Sequence, residues 1–413
     1  VRIALLSYRT KTHSGGQGVY VRNLSRALVT IGHEVTVFSA QPYPEELDPR
    51  VQVVEVPSLD LYRDDDPFRT PALSEFRDWI DVTEYLTMIT AGFPEPLTFS
   101  LRIRRLAAQG AFDDFDVVHD NQSLGYGLLS VAKRRPFLAT IHHPISEDRR
   151  LEIAAASWKK QIPVRRWYAF VRMQARVARK IRTILGVSSV SAADTIRDFG
   201  LADGQIRVIP LGVDTDLFKP GAERKRGRIV VVASADSPLK GLPHFLDAAA
   251  KLATERGLDV QLVSNLDPAG ATAKRITTGD LAGVVTVSSG ISDEELAELI
   301  SSAEVMVVPS RYEGFSLPAV EALACGTPLV ASAAGALPEV VGDAGVLVTP
   351  GDVEELVREI GRLLDNPAER NRLSSVARAR ALDRYSWVAV ARQTAEAYED
   401  VIAEFGEQQK KRN

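Results

Sequence analysis

Short runs of β-branched and aliphatic residues recur along the chain, separated by stretches with helical spacing. In the first half they fall at residues 3–7, 35–39, 51–56, 117–119, 137–141 and 183–187. Strand-like runs alternating with helical ones predict an α/β, doubly wound parallel sheet. Between about residues 19 and 31, Leu24, Ala27, Leu28 and Ile31 share one face and Gly32 follows, so this segment reads as a helix packed back on the first strand. A second series falls at residues 229–232, 260–263, 284–287, 305–308, 329–331 and 346–348. The pattern therefore predicts two such sheets.

The boundary falls where periodicity lapses, from Pro210-Leu211-Gly212-Val213-Asp214 to Lys219-Pro220-Gly221 and the charged turn after it. Residues 1–212 form the expected first domain and 213–386 the second. After Ser386 the positions Trp387, Ala391, Ala395, Tyr398, Ile402 and Phe405 have helical spacing, and residues beyond about Gly406 are expected to fray. Between Ser58 and Gln109 lies an insertion too apolar for a linker, expected to form helical turns near the acceptor or to be an embellishment without substrate contact.

The 413 residues exceed what one core usually organises, which agrees with two domains. A formal charge of −4 argues against a nucleic-acid-binding protein. The single cysteine, Cys325, excludes an internal disulfide and fits a reducing cytoplasm, where it reads as a small buried hydrophobe. No run approaches a membrane span, and residues 3–7 lead into a glycine loop, so they read as a first strand and not as a signal. Charge is nonetheless uneven. Residues 149–182 hold eleven Lys and Arg against one acid, Glu152, a local +10 that leaves −14 for the rest.

The candidate chemistry gathers at predicted strand ends. Glu313 lies on the loop after the run 305–308, where open α/β sheets bind ligands. Ser316 and Pro318 start a helix that Gly326 stops, and Glu321 sits more than a turn along it. Two carboxylates in that frame suggest a sugar-nucleotide clamp, with the backbone N–H groups of Phe315, Ser316 and Leu317 free for phosphate oxygens. Alternatively, they are surface glutamates flanking an ordinary helix. Gly15 and Gly16, in Gly15-Gly16-Gln17-Gly18, permit close backbone approach to a phosphate or simply a tight turn. His142 ends the run 137–141 and can donate a hydrogen bond to a sugar hydroxyl or hold charge near a phosphate. His143 should point the other way. His119, in Val118-His119-Asp120-Asn121, is a further candidate cleft residue unless it only caps the following turn. No metal-ligand spacing surrounds the histidines, and Asp64-Asp65-Asp66 and Asp214-Thr215-Asp216 read as turns.

The segment Glu313-Gly314-Phe315-Ser316-Leu317-Pro318-Ala319-Val320-Glu321 resembles the E-x7-E signature of the retaining glycosyltransferases of family four (glycosyl transferases group 1). Val213-Asp214-Thr215-Asp216-Leu217-Phe218 resembles their interdomain segment, and Gly335-Ala336-Leu337-Pro338-Glu339-Val340-Val341 a further motif with Ala336 in place of a glycine. The resemblance implies the GT-B fold: two Rossmann-like domains facing a central cleft, with residues 387–413 crossing back to the first. It implies that Glu313 contacts sugar hydroxyls, Glu321 the ribose, and Gly314 to Leu317 with Gly15 and Gly16 the donor phosphates. His142 becomes a catalytic cleft residue, with His119, Asn121 and His143 on the acceptor side. Lys240 keeps the family's phosphate-clamping lysine, whereas Ser234 stands where an arginine is usual, and serine cannot neutralise a phosphate.

The implied reaction moves a sugar from a nucleotide-sugar, such as a GDP-, UDP- or ADP-sugar, to an acceptor hydroxyl without metal or other cofactor. The basic stretch suggests a lipid acceptor at an anionic membrane surface and peripheral association with the inner face of the cell membrane; the ordinary alternative is a solvated helix face. A soluble-acceptor transferase and a catalytically weak GT-B assembly protein are the other readings.

Overall fold

The computed structural model describes residues 1–10, 16–63, 65–143, 145–157, 159–221, 223–233 and 238–412, and of residues 16, 147, 148, 151, 155, 238 and 412 the backbone alone. The chain divides into two compact units. One comprises Val1–Val187, Ser191–Ile209 and Val390–Asn413; the other comprises Ser188–Val190 and Pro210–Ala389.

The first unit contains strands β1 (Arg2–Ser7), β2 (Glu34–Ser39) and β3 (Gln52–Glu55), then a small ribbon of β4 (Tyr62–Arg63) and β5 (Asp66–Pro67). Strands β6 (Val117–Asn121), β7 (Phe137–Ile141), β8 (Thr183–Gly186) and β9 (Ile206–Val208) follow. Its sheet has the order β3-β2-β1-β6-β7-β8-β9, parallel throughout. Chain direction across the sheet reverses between β1 and β6, so their carboxyl ends frame the place where such sheets take ligands. The helix Gly16–Thr30 starts there, and Gly32, at φ 95°, lets the chain turn into β2. Ala4, Leu6, Phe38, Val118 and Ala139 form the core with Phe99, Ile103 and Val177 from the covering helices.

The second unit repeats the plan. Its strands β10 (Arg228–Val232), β11 (Asp259–Val263), β12 (Val285–Ser288), β13 (Val305–Val308), β14 (Leu329–Ser332) and β15 (Val346–Val348) stand in the parallel order β12-β11-β10-β13-β14-β15. This is the Rossmann order, with its switch point between β10 and β13. Valines of β10, β11 and β13 pack against Phe245, Leu246, Leu252 and Ile360. Cys325 is buried, and burial pushes its thiol up to about 12, which makes it the inert filler expected. Asp214 Oδ1 accepts from the backbone N–H groups of Asp216 and Leu217, as a turn residue does.

Several details depart from the sequence reading. The basic stretch, with a solvated helix face as one of its readings, includes two helices, Gln161–Trp167 and Ala169–Ala178, joined at Tyr168, which is buried. The last helix, Trp387–Arg412, continues through Gly406 instead of fraying there. Its start belongs to the second unit and its remainder, from Val390, to the first. The insertion carries the helices Trp79–Ile89 and Glu95–Ala108, held together by a buried cluster in which Arg102 donates to Asp81 Oδ1 (2.6 Å) and to Glu84. Leu59, Leu61 and Met88 give it a small core of its own. Among the described residues, no helix is long and apolar enough to cross a membrane.

Candidate active site

In the second unit the loop after β13 is sewn to the loops after β10 and β14 by backbone contacts that require glycine. Gly241, at φ 64°, packs so closely that a Cβ there would lie 2.0 Å from the carbonyl oxygen of Pro309. Gly335, at φ 56°, has no room for one either, since it would meet the carbonyl oxygen of Glu313 at 2.2 Å. Arg311 N donates to Leu239 O (2.7 Å) and Ala336 N to Glu313 O (2.9 Å). Lys240 and Glu313, 73 positions apart, meet as a result: Lys240 Nζ lies 2.8 Å from Glu313 Oε1. Ser310 Oγ donates to the same oxygen at 2.7 Å. Glu313 is buried while Lys240 remains one-third exposed, so the pair offers a fixed carboxylate and an accessible cation.

The helix Leu317–Ala324 begins beside them. Ser316 caps it from a left-handed conformation, φ 90° and ψ 84°, and its buried hydroxyl has no hydrogen-bond partner. A non-glycine residue held there stores strain, and an unpartnered hydroxyl beside a helix start is a preorganised donor. The backbone N–H groups of Phe315, Ser316 and Leu317 likewise lack partners among the described residues. The Gly314 carbonyl accepts from Ser188 Oγ at 2.6 Å, and Phe315 is held edge-on to Tyr385. Further along the helix, Glu321 is half-buried; burial, and then repulsion from Asp293, raises its carboxyl from the ordinary 4.5 to about 7. It shares no hydrogen bond with Lys240 or Glu313. Ser234 and Gly15 lie outside the described residues, and of Gly16 the backbone alone is placed, at the first residue of its helix. Sequence reasoning passed over Arg311, an exposed residue between β13 and Glu313 with no ion-pair or side-chain hydrogen-bond partner among the described residues. Its place on a strand's carboxyl-end loop was the available signal.

The first unit assembles its histidines differently. His142 follows β7 and presents a half-buried ring whose Nε2 lies 2.7 Å from Asn121 Oδ1. Asn121 Nδ2 donates to Gln17 O at 3.3 Å, which orients the amide so that His142 Nε2 is the donor. Burial, and then His143, pushes the His142 pKa down to about 4. The ring is therefore neutral at pH 7, and Nδ1 is left as an acceptor. This revises the expectation of a donor or a charge near phosphate: a ring whose Nε2–H is bonded to Asn121 can accept a hydrogen bond from a hydroxyl at Nδ1 instead. Gln122, at φ 57°, clasps this turn by accepting from His142 N (2.7 Å) and donating to His143 O (2.9 Å). His143 itself is exposed.

His119 cannot contact an acceptor. β6 extends to Asn121, so His119 pairs with Leu5 and Leu138 in mid-sheet and is fully buried. Its Nδ1 lies 2.8 Å from the hydroxyl of Tyr398 and its Nε2 2.7 Å from Thr140 Oγ1. Burial, and then His142, holds its pKa at about 3, and the Tyr398 phenol is raised well above its ordinary value, so Tyr398 is the donor. Thr140 Oγ1 in turn lies 3.3 Å from Tyr20 Oη, and the Tyr20 ring stands edge-on to His142 with centroids 4.6 Å apart. Asn121 is fully buried as well, and acts by aiming His142.

The basic stretch is partly spent within the fold. Arg150 pairs with Asp198, Arg166 donates to Thr90 and Arg176 to Tyr126. Arg149, Arg150, Arg165 and Arg172 line a depression of about 360 Å³.

Comparison with known proteins places this geometry. The glycosyl transferases group 1 family model matches residues 213–380, and that of Glycosyltransferase Family 4 matches residues 14–217. The MMP alpha-(1→4)-mannosyltransferase of Mycolicibacterium hassiacum is 59% identical over 407 residues, 98% of this chain and 99% of the relative. The D-inositol 3-phosphate glycosyltransferase of Xylanimonas cellulosilytica is 30% identical over 96% of each chain. Among solved structures, sucrose-phosphate synthase from Thermosynechococcus elongatus has a TM-score of 0.67 at 24% identity, covering 98% of this chain and 99% of its own. Anabaena HepE in complex with UDP and glucose has a TM-score of 0.64 at 19% identity, covering 96% and 99%. Both structures share the fold.

Proposed function

The chain belongs to the family 4 retaining glycosyltransferases of the GT-B fold, and from that premise we propose that it transfers a mannosyl group from a nucleotide-mannose to the 4-hydroxyl of a soluble saccharide acceptor. The observation that carries the donor half of this reading is Lys240 Nζ held 2.8 Å from Glu313 Oε1 at the switch point of the second sheet. The sugar and linkage rest on the mannosyltransferase relative at 59% identity. An alpha linkage drawn from an alpha-linked donor is retention. The lipid acceptor expected from the basic stretch yields to the soluble-acceptor alternative, which the name of that relative supports better, and part of the charge behind the lipid reading is taken up by the internal contacts of Arg150, Arg166 and Arg176.

On this reading the second unit takes the donor and the first supplies acceptor-side groups. The bond between the anomeric carbon and the diphosphate oxygen breaks while the acceptor oxygen bonds to the same face, and the acceptor's proton leaves on the diphosphate. Charge grows on that diphosphate. Lys240, the free N–H groups at 315–317 and the Ser316 hydroxyl offset it, and Arg311 supplies the cation that Ser234 cannot. Glu313 accepts sugar hydroxyls and Glu321 those of the ribose. His142 Nδ1 accepts from a sugar hydroxyl, oriented by Asn121 and Tyr20. A thermal-shift panel of GDP-mannose and UDP- and ADP-sugars identifies the donor, since a ligand of the folded state raises the melting point with affinity. Transfer to methyl α-mannoside, with the product linkage read by NMR, tests the rest. Nucleotide binding without any turnover would favour the assembly-protein reading, and no response to any mannosyl nucleotide would end the donor assignment.

A further inference from the structure

At the β4–β5 ribbon two half-exposed or exposed rings, Tyr62 and Phe68, meet a third, Trp167, from about a hundred positions further along the first unit. Tyr62 meets Phe68 at 5.3 Å between centroids and Trp167 at 5.8 Å, both edge-on, and Phe68 and Trp167 lie 6.2 Å apart. Phe93 backs the group at 5.6 Å from Tyr62 and 5.2 Å from Trp167. Phe68 is 60% exposed, and its backbone is held at φ 63°, with its N–H bonded to Leu61 O at 2.8 Å. A bulky residue in that conformation costs stability, and an exposed ring returns little by burial, so neither the strain nor the ring serves the core. Beside the rings stands a polar fork. Arg9, just past β1, places Cζ 5.9 Å from the Tyr62 centroid and donates to Glu95 Oε1 at 3.2 Å. That is its one side-chain hydrogen bond among the described residues, and its side chain is 37% exposed.

Resting on the reading of the chain as a saccharide-directed transferase, we propose that Tyr62, Phe68, Trp167 and Arg9 form a subsite for one sugar ring of an extended acceptor. A pyranose has an apolar face of C–H groups and a rim of hydroxyls. The exposed Phe68 ring, braced by Tyr62 and Trp167, matches the first, and a guanidinium with donors to spare matches the second. Arg9 follows β1 at the switch point of the sheet, which places the subsite at the ligand-binding edge of the unit. Such a subsite favours longer acceptors over single sugars.

Equilibrium titration by calorimetry with methyl α-mannoside and α-(1→4)-linked mannotetraose, in the absence of donor, tests this. The wild type should bind the tetraose more tightly than the monosaccharide. Phe68→Ala should weaken the tetraose about fivefold to tenfold, Phe68→Tyr should preserve binding, and Leu382→Ala, at a comparably exposed apolar residue of the second unit, should change nothing. Wild type that binds tetraose no better than monosaccharide, or Phe68→Ala within twofold of wild type, overturns the subsite. A protein that transfers mannose yet ignores Phe68 loses only the subsite; one that binds tetraose through Phe68 but transfers no mannose loses only the proposed donor.

Discussion

The two units are built on the same strand order and treat charge in opposite ways. In the second, Lys240 and Glu313 are an ion pair clamped by loops that admit only glycine at two points. In the first, burial strips His142 and His119 of charge and a chain of neutral hydrogen bonds fixes their rings. A charged pair kept partly exposed suits a ligand whose own charge changes during reaction, because a preorganised field needs no reorganisation as charge develops. A neutral network suits an uncharged hydroxyl, which needs position and an acceptor lone pair. On the proposed reading, the diphosphate falls to the second unit and the acceptor hydroxyl to the first.

Removing the charges should break this comparison most severely. Glu313→Gln and Lys240→Met should each lower transfer by about 10²- to 10³-fold, with Lys240→Met also abolishing the thermal shift given by the nucleotide-sugar. Steady-state kinetics beside a melting curve would separate the two losses. Equal loss in transfer with an intact nucleotide shift for both variants would mean the pair does not hold the diphosphate. Arg311→Gln should weaken nucleotide-sugar binding and lower transfer, each less than Lys240→Met does.

The neutral side should fail more gently and through a different parameter. His142→Ala should cost roughly 10- to 100-fold in transfer while leaving the nucleotide shift in place. Asn121→Ala, which frees the ring to turn over, should cost less. If His142→Ala were to abolish nucleotide binding, the division of labour between the units would be wrong.

Acidity offers a finer probe. Glu321, with its carboxyl raised from 4.5 to about 7, stays protonated in the folded protein at pH values where the unfolded chain has released the proton. Its ionisation therefore opposes folding, and the cost accrues as pH rises from 4.5 to about 7. A ligand whose hydroxyls donate to the carboxylate recovers that cost, so nucleotide-sugar affinity should rise through about pH 7. Glu321→Gln should flatten the rise. An unchanged slope in the variant would assign it to another group.

Much of this was legible before any coordinates, for a physical reason. Interior strands must be apolar, so the runs at 137–141 and 305–308 coincide with β7 and β13 residue for residue. Ligand loops sit at strand ends, which singled out Glu313, whereas Lys240, 73 positions away, was legible through the family resemblance. β9 escaped because Ile206-Arg207-Val208 is too short and too polar to stand out, being an edge. The left-handed turn at Phe68 also escaped, since nothing in Pro67-Phe68-Arg69 forecasts it. His119 was misjudged because β6 runs two residues further than its apolar run, which moves the ring from a strand end into the sheet. Its partner Tyr398 is 279 positions away, a contact that helical spacing alone could not assign.

That contact supports the smallest effect expected here. Tyr398→Phe keeps the packed ring and removes the hydroxyl, leaving His119 Nδ1 buried without a donor at a cost of about 1–3 kcal/mol. Urea denaturation should register it as a lower midpoint with an unchanged slope, because no surface is added or lost. The pH dependence follows from the same ring. His119 titrates at about 3 in the folded protein and near its ordinary 6.5 when unfolded, so the unfolded chain binds the extra proton and stability falls as pH drops through that interval. The variant and the wild type should both lose stability there, since the burial that depresses His119 remains. Transfer should change little, because Tyr398 lies behind His119, Thr140 and Tyr20 and shares no hydrogen bond or ring contact with His142 itself, and each of those neighbours retains its own packing. A loss in transfer as large as that of His142→Ala, at unchanged nucleotide binding, would instead make this buried chain the element that sets the catalytic ring.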